Sequence, residues 1–490
     1  MSFAGSQICH ETFLKLHGIG KKRFQNVMEH YRVNGLSPRV HGNKGRLPSH
    51  TCPFETVAEV ASFINNFAQE HAIVLPGRIP GFKRTDIKVL PSSETKASIF
   101  RMYQQSVDLA GKKAVGYSKF VDLWNELIPH VVISKPMTDL CHTCQKNNSR
   151  IYRSANLPEN EKSQLLKELE SHLLNAERER SFYRSACGVA KETLSINLEK
   201  LDFTQERRPC SFNASIHYSF DYAQQLHIPS NPLQPGPIYF KTPRKCGIFG
   251  VCCEGIPRQV NYLIDESVQT GKGANSVISY LHHFFNKHGL GETDVHMHAD
   301  NCAGQNKNNY LLWYWAWRTI AGFHNSCLYS FLIVGHTKFA CDWCFGLLKQ
   351  KVRKTFISSL YDLATAVDES TVSGVNVSEL CGLHDGTVLV PVYDWASFLA
   401  TYFKKFPNIK NFHHFRFTKE EPGVMYFRQF SDTPESRFLL LKKNDVLPPR
   451  TLPTTITPSG LDFQRKSYLY REIRAFCREG TEDLIAPSPE

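Results

Sequence analysis

His296-Met297-His298-Ala299-Asp300-Asn301-Cys302-Ala303-Gly304-Gln305-Asn306-Lys307-Asn308-Asn309 is the stretch that decides the fold. Residues Val295 to Ala299 alternate, the period of a strand, and the acid that follows opens a polar turn containing glycine. From Tyr310 to Ile320 the chain is apolar and aromatic. The pattern is a buried strand, a loop and a buried helix, with Asp300 at the carboxyl end of the strand, where open α/β sheets bind ligands. A carboxylate among amides and one lysine suits a hard cation and a phosphate better than it suits a core. Asp-Asn-x-x-Gly is also an ordinary turn with Asx capping.

The distribution of acids favours the first reading. Between Asn301 and Tyr361 the only carboxylate is Asp342, and between Arg207 and Cys253 the only one is Asp221. Such near-empty stretches suggest selection against stray negative charge, which makes Asp221, Asp300 and Asp342 the candidates.

At 490 residues the chain is too long for one simple core. A formal net charge of +12 and a pI near 8.9 favour a polyanionic partner. No leading apolar run of signal-peptide type and no segment of twenty apolar residues is present, so a soluble intracellular protein with no membrane role is expected. Its 15 cysteines are expected to be reduced, most of them in the core and a minority on zinc.

Five segments are expected. Residues 1–50 hold two short helices about Gly18-Ile19-Gly20, either a helix-turn-helix or a plain hairpin, and then a basic arm or linker from Val33 to Ser49. Residues 51–136 read as three helices, Val57 to His71, Glu94 to Leu109 and Gly116 to Leu127, with the strand-like Val131 to Ser134. That all-α region is a helix-turn-helix-like candidate for DNA binding. Its last helix, capped by Ser118, would enter the major groove with Lys119 on phosphate. Residues 137–210 contain Cys141-His142-Thr143-Cys144, half of a tetrahedral zinc site whose remaining ligands no spacing forces; His142, Cys187 and Cys210 are the options. The same segment has a long charged helix from Glu159 to about Leu198, with Leu165, Leu169, Leu173, Ala176 and Tyr183 on one stripe. It is a spacer, a dimer contact in a homo-oligomer, or a surface helix of the core.

The core is placed at residues 211–370. Ile216 to Tyr222, Ile238 to Phe240, Cys246 to Val251 and Val260 to Asp265 read as strands, and Ala274 to His288 as a helix. With the strand before Asp300, the aromatic helix, the strand Cys327 to Val334 and the helix containing Asp342, the order is β-β-β-α-β-α-β-α. The fold class expected is thus α/β, a ribonuclease H-like mixed sheet preceded by the helical regions and the small zinc-binding segment.

The settings of the three acids resemble the DDE/D superfamily of transposases and integrases. The blocks Ser219 to Gln225, His298 to Asn308, and Gly335-His336-Thr337 with Asp342 and Phe345-Gly346 also resemble a little-characterised family of transposon-derived animal proteins, over roughly Cys141 to Thr355. Most of the superfamily has Glu where this chain has Asp342. The resemblance implies a nuclear enzyme that cleaves and joins double-stranded DNA at element ends with two Mg²⁺ or Mn²⁺ ions. Asp221 would bridge both ions, Asp300 would hold one and Asp342 the other. Lys307, Lys338 and His336 are candidates for phosphate or water contacts, and Gln305 and Asn306 for orienting the loop or a base; loop capping is the plainer role for each.

Residues 371–490 are expected to form an α+β extension and a disordered tail. The extension would include the strand-like Thr387 to Val390, an aromatic-basic run from Trp395 to Phe417 and a Pro-rich linker from Leu447 to Pro458. The run is a half-buried amphipathic surface or a track for a nucleic acid strand. The competing functions are a catalytically inactive, domesticated transposase that only binds DNA or partners, and a zinc hydrolase using Cys341 and Cys344.

Overall fold

The alternation at Ile216 to Tyr222 becomes the middle of a 17-residue strand with three strands on its left and five on its right, and this mixed nine-stranded sheet organises the larger part of the chain. In the computed structural model, residues 1–40, 42–45, 51–72, 87–134, 140–152, 158–197, 206–256, 258–443 and 445–489 are described. Two compact units form: Met1–Ala72 with Leu90–Ile133, and Ile73–Val89 with Ser134–Glu490. Part of the basic arm and the boundary expected at 136–137 fall outside the described residues.

The first part of the chain contains the two-residue strands β1 (Ser2–Phe3) and β2 (Ser6–Gln7), then α1 (His10–Leu16), α2 (Lys21–Asn34) and α3 (Phe54–His71). After β3 (Lys88–Leu90) come α4 (Lys96–Leu109), α5 (Tyr117–Leu127) and β4 (Val131–Ile133). A small core of Val60, Ile64, Ile99, Phe100, Tyr103, Phe120 and Trp124 unites α3, α4 and α5. By contrast α2 buries no side chain, so its helical spacing alone gives it little tertiary support. The cap of α5 is Gly116 and not Ser118.

In the larger unit, α6 (His142–Tyr152) and the unbroken 39-residue α7 (Glu159–Asn197) precede β5 (Phe212–Ile228), β6 (Arg244–Cys253) and β7 (Arg258–Asp265). Then follow α8 (Ala274–Lys287), β8 (Glu292–Ala299), α9 (Asn309–Ile320), β9 (Ser326–Phe331), α10 (Ala340–Val352) and α11 (Leu360–Asp368). The last elements are β10 (Asn376–Leu380), β11 (Val392–Tyr393), α12 (Trp395–Tyr402), β12 (His414–Thr418), β13 (Val424–Arg428), β14 (Ser436–Leu439), β15 (Thr455–Ile456), α13 (Phe463–Tyr468) and α14 (Glu482–Ile485). The sheet order is β10-β7-β6-β5-β8-β9-β12-β13-β14. β5, β6 and β7 form an antiparallel meander, whereas β8 runs parallel to β5 and β9 parallel to β8. Helical crossovers are what parallel neighbours require, and α8 and α9 supply them.

Period-two alternation sorts the two faces. Tyr218, Phe220, Phe249, Met297, Ala299 and Tyr329 pack with α8, α9 and α12 in one core. Ile248, Cys252 and Leu263 pack with α10 and α11 on the opposite face, where the ring of Tyr183 from α7 also meets His217.

Several expected elements differ. Ile238 to Phe240 is a 3₁₀ turn, Gly236–Phe240, because Pro235 and Pro237 lack the N–H groups a ladder needs. Thr387 to Val390 makes only the isolated bridge Gly382↔Val388. The aromatic-basic run contains an interior strand: β12 pairs with both β9 and β13, so the sheet passes the boundary expected at 370. The Pro-rich stretch contributes β15, which pairs with β11, and the tail is ordered, with Ile485 and Ala486 fully buried.

Candidate functional site

Strand register brings two of the three acids together. Ser219 pairs with His298 across the parallel β5 and β8, so Asp221, within β5, and Asp300, just past the end of β8, each two residues further on, share one face of the sheet. Asp342 arrives from the first turn of α10. That helix is seated on the same face by Cys341, whose Sγ lies 3.4 Å from Ser219 Oγ and 3.3 Å from Ser219 O.

The three carboxyls differ in setting. Burial, then the charge of Asp300, lifts Asp221 to about 7, against the Tyr222 N–H that it accepts at 2.7 Å; Asp342 adds to the lift. Asp300 accepts from Cys302 N at 3.0 Å and from the Asn306 amide. Burial also raises Asp342, and the Phe339 N–H at 2.9 Å, Lys338, Arg180 and Lys349 oppose it. Among the described residues the three are not a group whose ligand atoms all lie within 4.8 Å of one another. They are thus looser than a cage for one ion.

The other expected residues divide. Asn306 is fully buried, turns its amide to Asp300 and leaves its Oδ1 without a partner. Lys307 is buried as well: its Nζ donates to Asn301 Oδ1 at 2.9 Å, lies over the Phe331 ring, and is pushed down to about 7 by burial. It does not face solvent, so the expected phosphate contact by Lys307 is replaced by a role inside the loop. Gln305 closes the turn through its backbone, accepting from Asn308 Nδ2 at 3.1 Å. Lys338 is exposed beside Asp342, and Lys119 is exposed on α5 in the other unit.

His336 is gathered with two cysteines and a second histidine instead of with the three acids. Its Nε2 lies 3.2 Å from His172 Nε2 and 3.5 Å from Cys144 Sγ, while His172 Nε2 lies 3.3 Å from Cys141 Sγ. Cys141, Cys144, His172 and His336 gather their ligand atoms within 4.8 Å of one another. His142, which is exposed, Cys187 and Cys210 are not in the group. Burial, then His172 and Arg180, bring His336 down to about 4, and burial lowers His172.

A second group, His217, His296 and His298, is wholly buried under α7 on the same sheet face as Asp221 and Asp300. His217 Nε2 lies 2.8 Å from His298 Nδ1, and His296 Nε2 lies 2.9 Å from Ser330 Oγ. Ser330 in turn meets His414 Nδ1 at 2.9 Å, and His414 meets Glu179 at 2.6 Å. Sequence reading missed these residues, along with His172 and Arg180. Two signals were present: the polar period-two series His217, Ser219, Asp221 and His296, His298, Asp300, and the stripe His172, Ala176, Arg180, Tyr183, Cys187 on α7. Cys341 and Cys344 are fully buried and, among the described residues, belong to neither group, so nothing in their setting supports the zinc-hydrolase reading.

A cleft of about 380 Å³ opens where β5 runs on past Asp221, lined in part by Gln224, His227, Lys241, Lys349 and Arg353. No described helix is long and apolar enough to cross a membrane. Residues 241–433, less than half of the chain, match a domain family described as a domain of unknown function, DUF7869. That span includes Asp300 and Asp342 and excludes Asp221. No curated protein matches the chain.

Proposed function

We propose that the chain is a transposase-derived protein whose sheet is a ribonuclease H-like core acting on double-stranded DNA. The observation that carries this reading is the placement of Asp221 and Asp300 side by side on neighbouring parallel strands, with Asp342 brought to them by α10. The succession of an antiparallel meander, two parallel strands and intervening helices resembles that fold. The formal charge of +12, with Lys338 exposed and Lys349 half-buried near Asp342, suits a phosphate backbone.

The donor set fits Mg²⁺ or Mn²⁺, since all three ligands are hard carboxylate oxygens and Asp221 is lifted to about 7 by burial and its neighbour, a penalty that a cation relieves. Such ions, when bound as a pair, activate the attacking oxygen and stabilise the leaving one. The chain's own residues have defined parts. Asp221, Asp300 and Asp342 would hold the cations, Asn306 and Cys302 N fix the Asp300 carboxylate, and Phe339 N fixes Asp342. Lys338 would meet a backbone phosphate.

The second reading is a DNA-binding descendant without cleavage. What favours it is that Asp300 and Asp342 each already serve the fold, one closing its loop and the other capping α10. Supercoiled plasmid with Mn²⁺ and the full chain separates the two. Nicking by wild type and not by Asp300→Asn supports the enzyme, and equal nicking by both refutes it. Plasmid retention without nicking in either protein supports the second reading.

A further inference from the structure

We propose that Cys141, Cys144, His172 and His336 hold one structural zinc ion. Tetrahedral zinc, with Zn–S of about 2.3 Å and Zn–N of about 2.0–2.1 Å, requires edges of about 3.6 Å between S and N and about 3.3 Å between two N atoms. The corresponding separations here are 3.3 Å for Cys141–His172, 3.5 Å for Cys144–His336 and 3.2 Å for His172–His336. All three lie within about 0.3 Å of the tetrahedral values. Two cysteine sulfurs and two imidazole nitrogens are the ligand types zinc takes and magnesium does not. Four protein ligands leave no corner for water or substrate, which makes the site structural.

The surroundings are shaped for it. Cys141 and Cys144, both buried, bracket the start of α6, the half-buried His172 stands on α7, and His336 follows β9. Gly335 turns the chain at φ +81°, and a Cβ there would stand 2.7 Å from Cys141 Cα, so only glycine lets the His336 loop come this close. Two turns beyond His172, Arg180 donates its guanidinium to the carbonyls of His336 and Lys338 and so holds the loop's outer side. The ion therefore ties the α6–α7 pair to the segment that leads into α10 and Asp342. This inference does not depend on DNA cleavage.

The full chain, purified without chelator, is expected to carry about one zinc ion, with an X-ray absorption shell of two sulfurs at about 2.3 Å and two nitrogens at about 2.0 Å. Replacement by Co²⁺ should give the thiolate charge-transfer and ligand-field bands of a tetrahedral site. Cys144→Ser and His336→Ala should lose that spectrum, whereas His217→Ala and Asp221→Asn should retain it. Metal-free wild type that takes up no Co²⁺, a Cys141–Cys144 disulfide in its place, or a shell lacking two sulfurs would overturn the proposal. Should the ligand variants fail to fold, the wild-type shell still decides. Zinc is read without DNA, so an inactive but zinc-loaded chain would count against the cleavage reading alone.

Discussion

Replacing Asp221 by Asn should stabilise the metal-free protein at neutral and higher pH. Asp221 is raised from 3.8 to about 7, first by burial and then by Asp300. Moving a carboxyl that far corresponds to a ceiling of about 4 kcal/mol between its two protonation states. Because the residue is only partly buried and the amide cannot reproduce every contact, an observed gain of about 2 kcal/mol is expected. The sign follows from linkage. Below about 4 both folded and unfolded chains carry the proton and the variant gains nothing from this source. As pH rises towards about 7 the unfolded chain ionises while the folded one resists, so wild type loses stability until the difference levels off above the folded value. Urea unfolding of both proteins from pH 4.5 to 8.5, in chelator and again in excess Mg²⁺, tests this. The gap should open with pH in chelator and shrink with Mg²⁺, because the cation stabilises wild type alone. Parallel stability curves, or equal stabilisation of both proteins by Mg²⁺, would refute the account of Asp221 as a strained cation ligand.

Arg244 and Asp265 form an ion pair with both side chains fully buried, and Arg244 also donates to Leu484 O at 2.8 Å and His384 O at 2.6 Å. Burial alone would lift Asp265, but His384 and Arg244 hold it at about 2; Arg244→Met should cost about 3–5 kcal/mol in denaturant unfolding by stranding that charge. Lys307→Met should stabilise by roughly 1–3 kcal/mol at pH 6 and by much less near pH 10, because the penalty of burying the ammonium is full below about 7 and fades as the unfolded lysine also loses its proton. A constant difference between the two pH values, read by urea midpoints, would show that Lys307 is not desolvated as described.

Local pattern carried the core. The alternation of β5 and β8 and the apolar run of α9 were readable because burial of one or both faces imposes them at short range. Long-range pairing was not readable in the same way. His414 to Thr418 looks like an amphipathic surface until β9 is placed on one side and β13 on the other, and its β9 partners lie more than eighty residues earlier. Asp300 just past a strand end and Asp342 at a helix start were legible as positions, because element boundaries are marked by turns, whereas the strand carrying Asp221 runs on to Ile228 instead of ending near the acid. The direction of His336 was not, since it depends on the left-handed turn at Gly335 and on Cys141 waiting almost two hundred residues upstream. The apolar stripe on α7, Leu165 to Tyr183, was legible as a stripe, but what it covers, and that His172 and Arg180 share its side, is set by tertiary packing.

The order of the strands also bears on how the protein can be divided. A fragment confined to residues 241–433 would contain β6 and β8 yet lack β5, the strand that hydrogen-bonds to both. Two flanking ladders would open at once, exposing Ile248, Val251 and Met297 along the gap. Cutting at 370 instead would bare β9 by removing β12. Sequence contiguity and structural completeness therefore part company in this molecule, and the shortest piece that keeps the sheet whole reaches from before Phe212 to beyond Leu439.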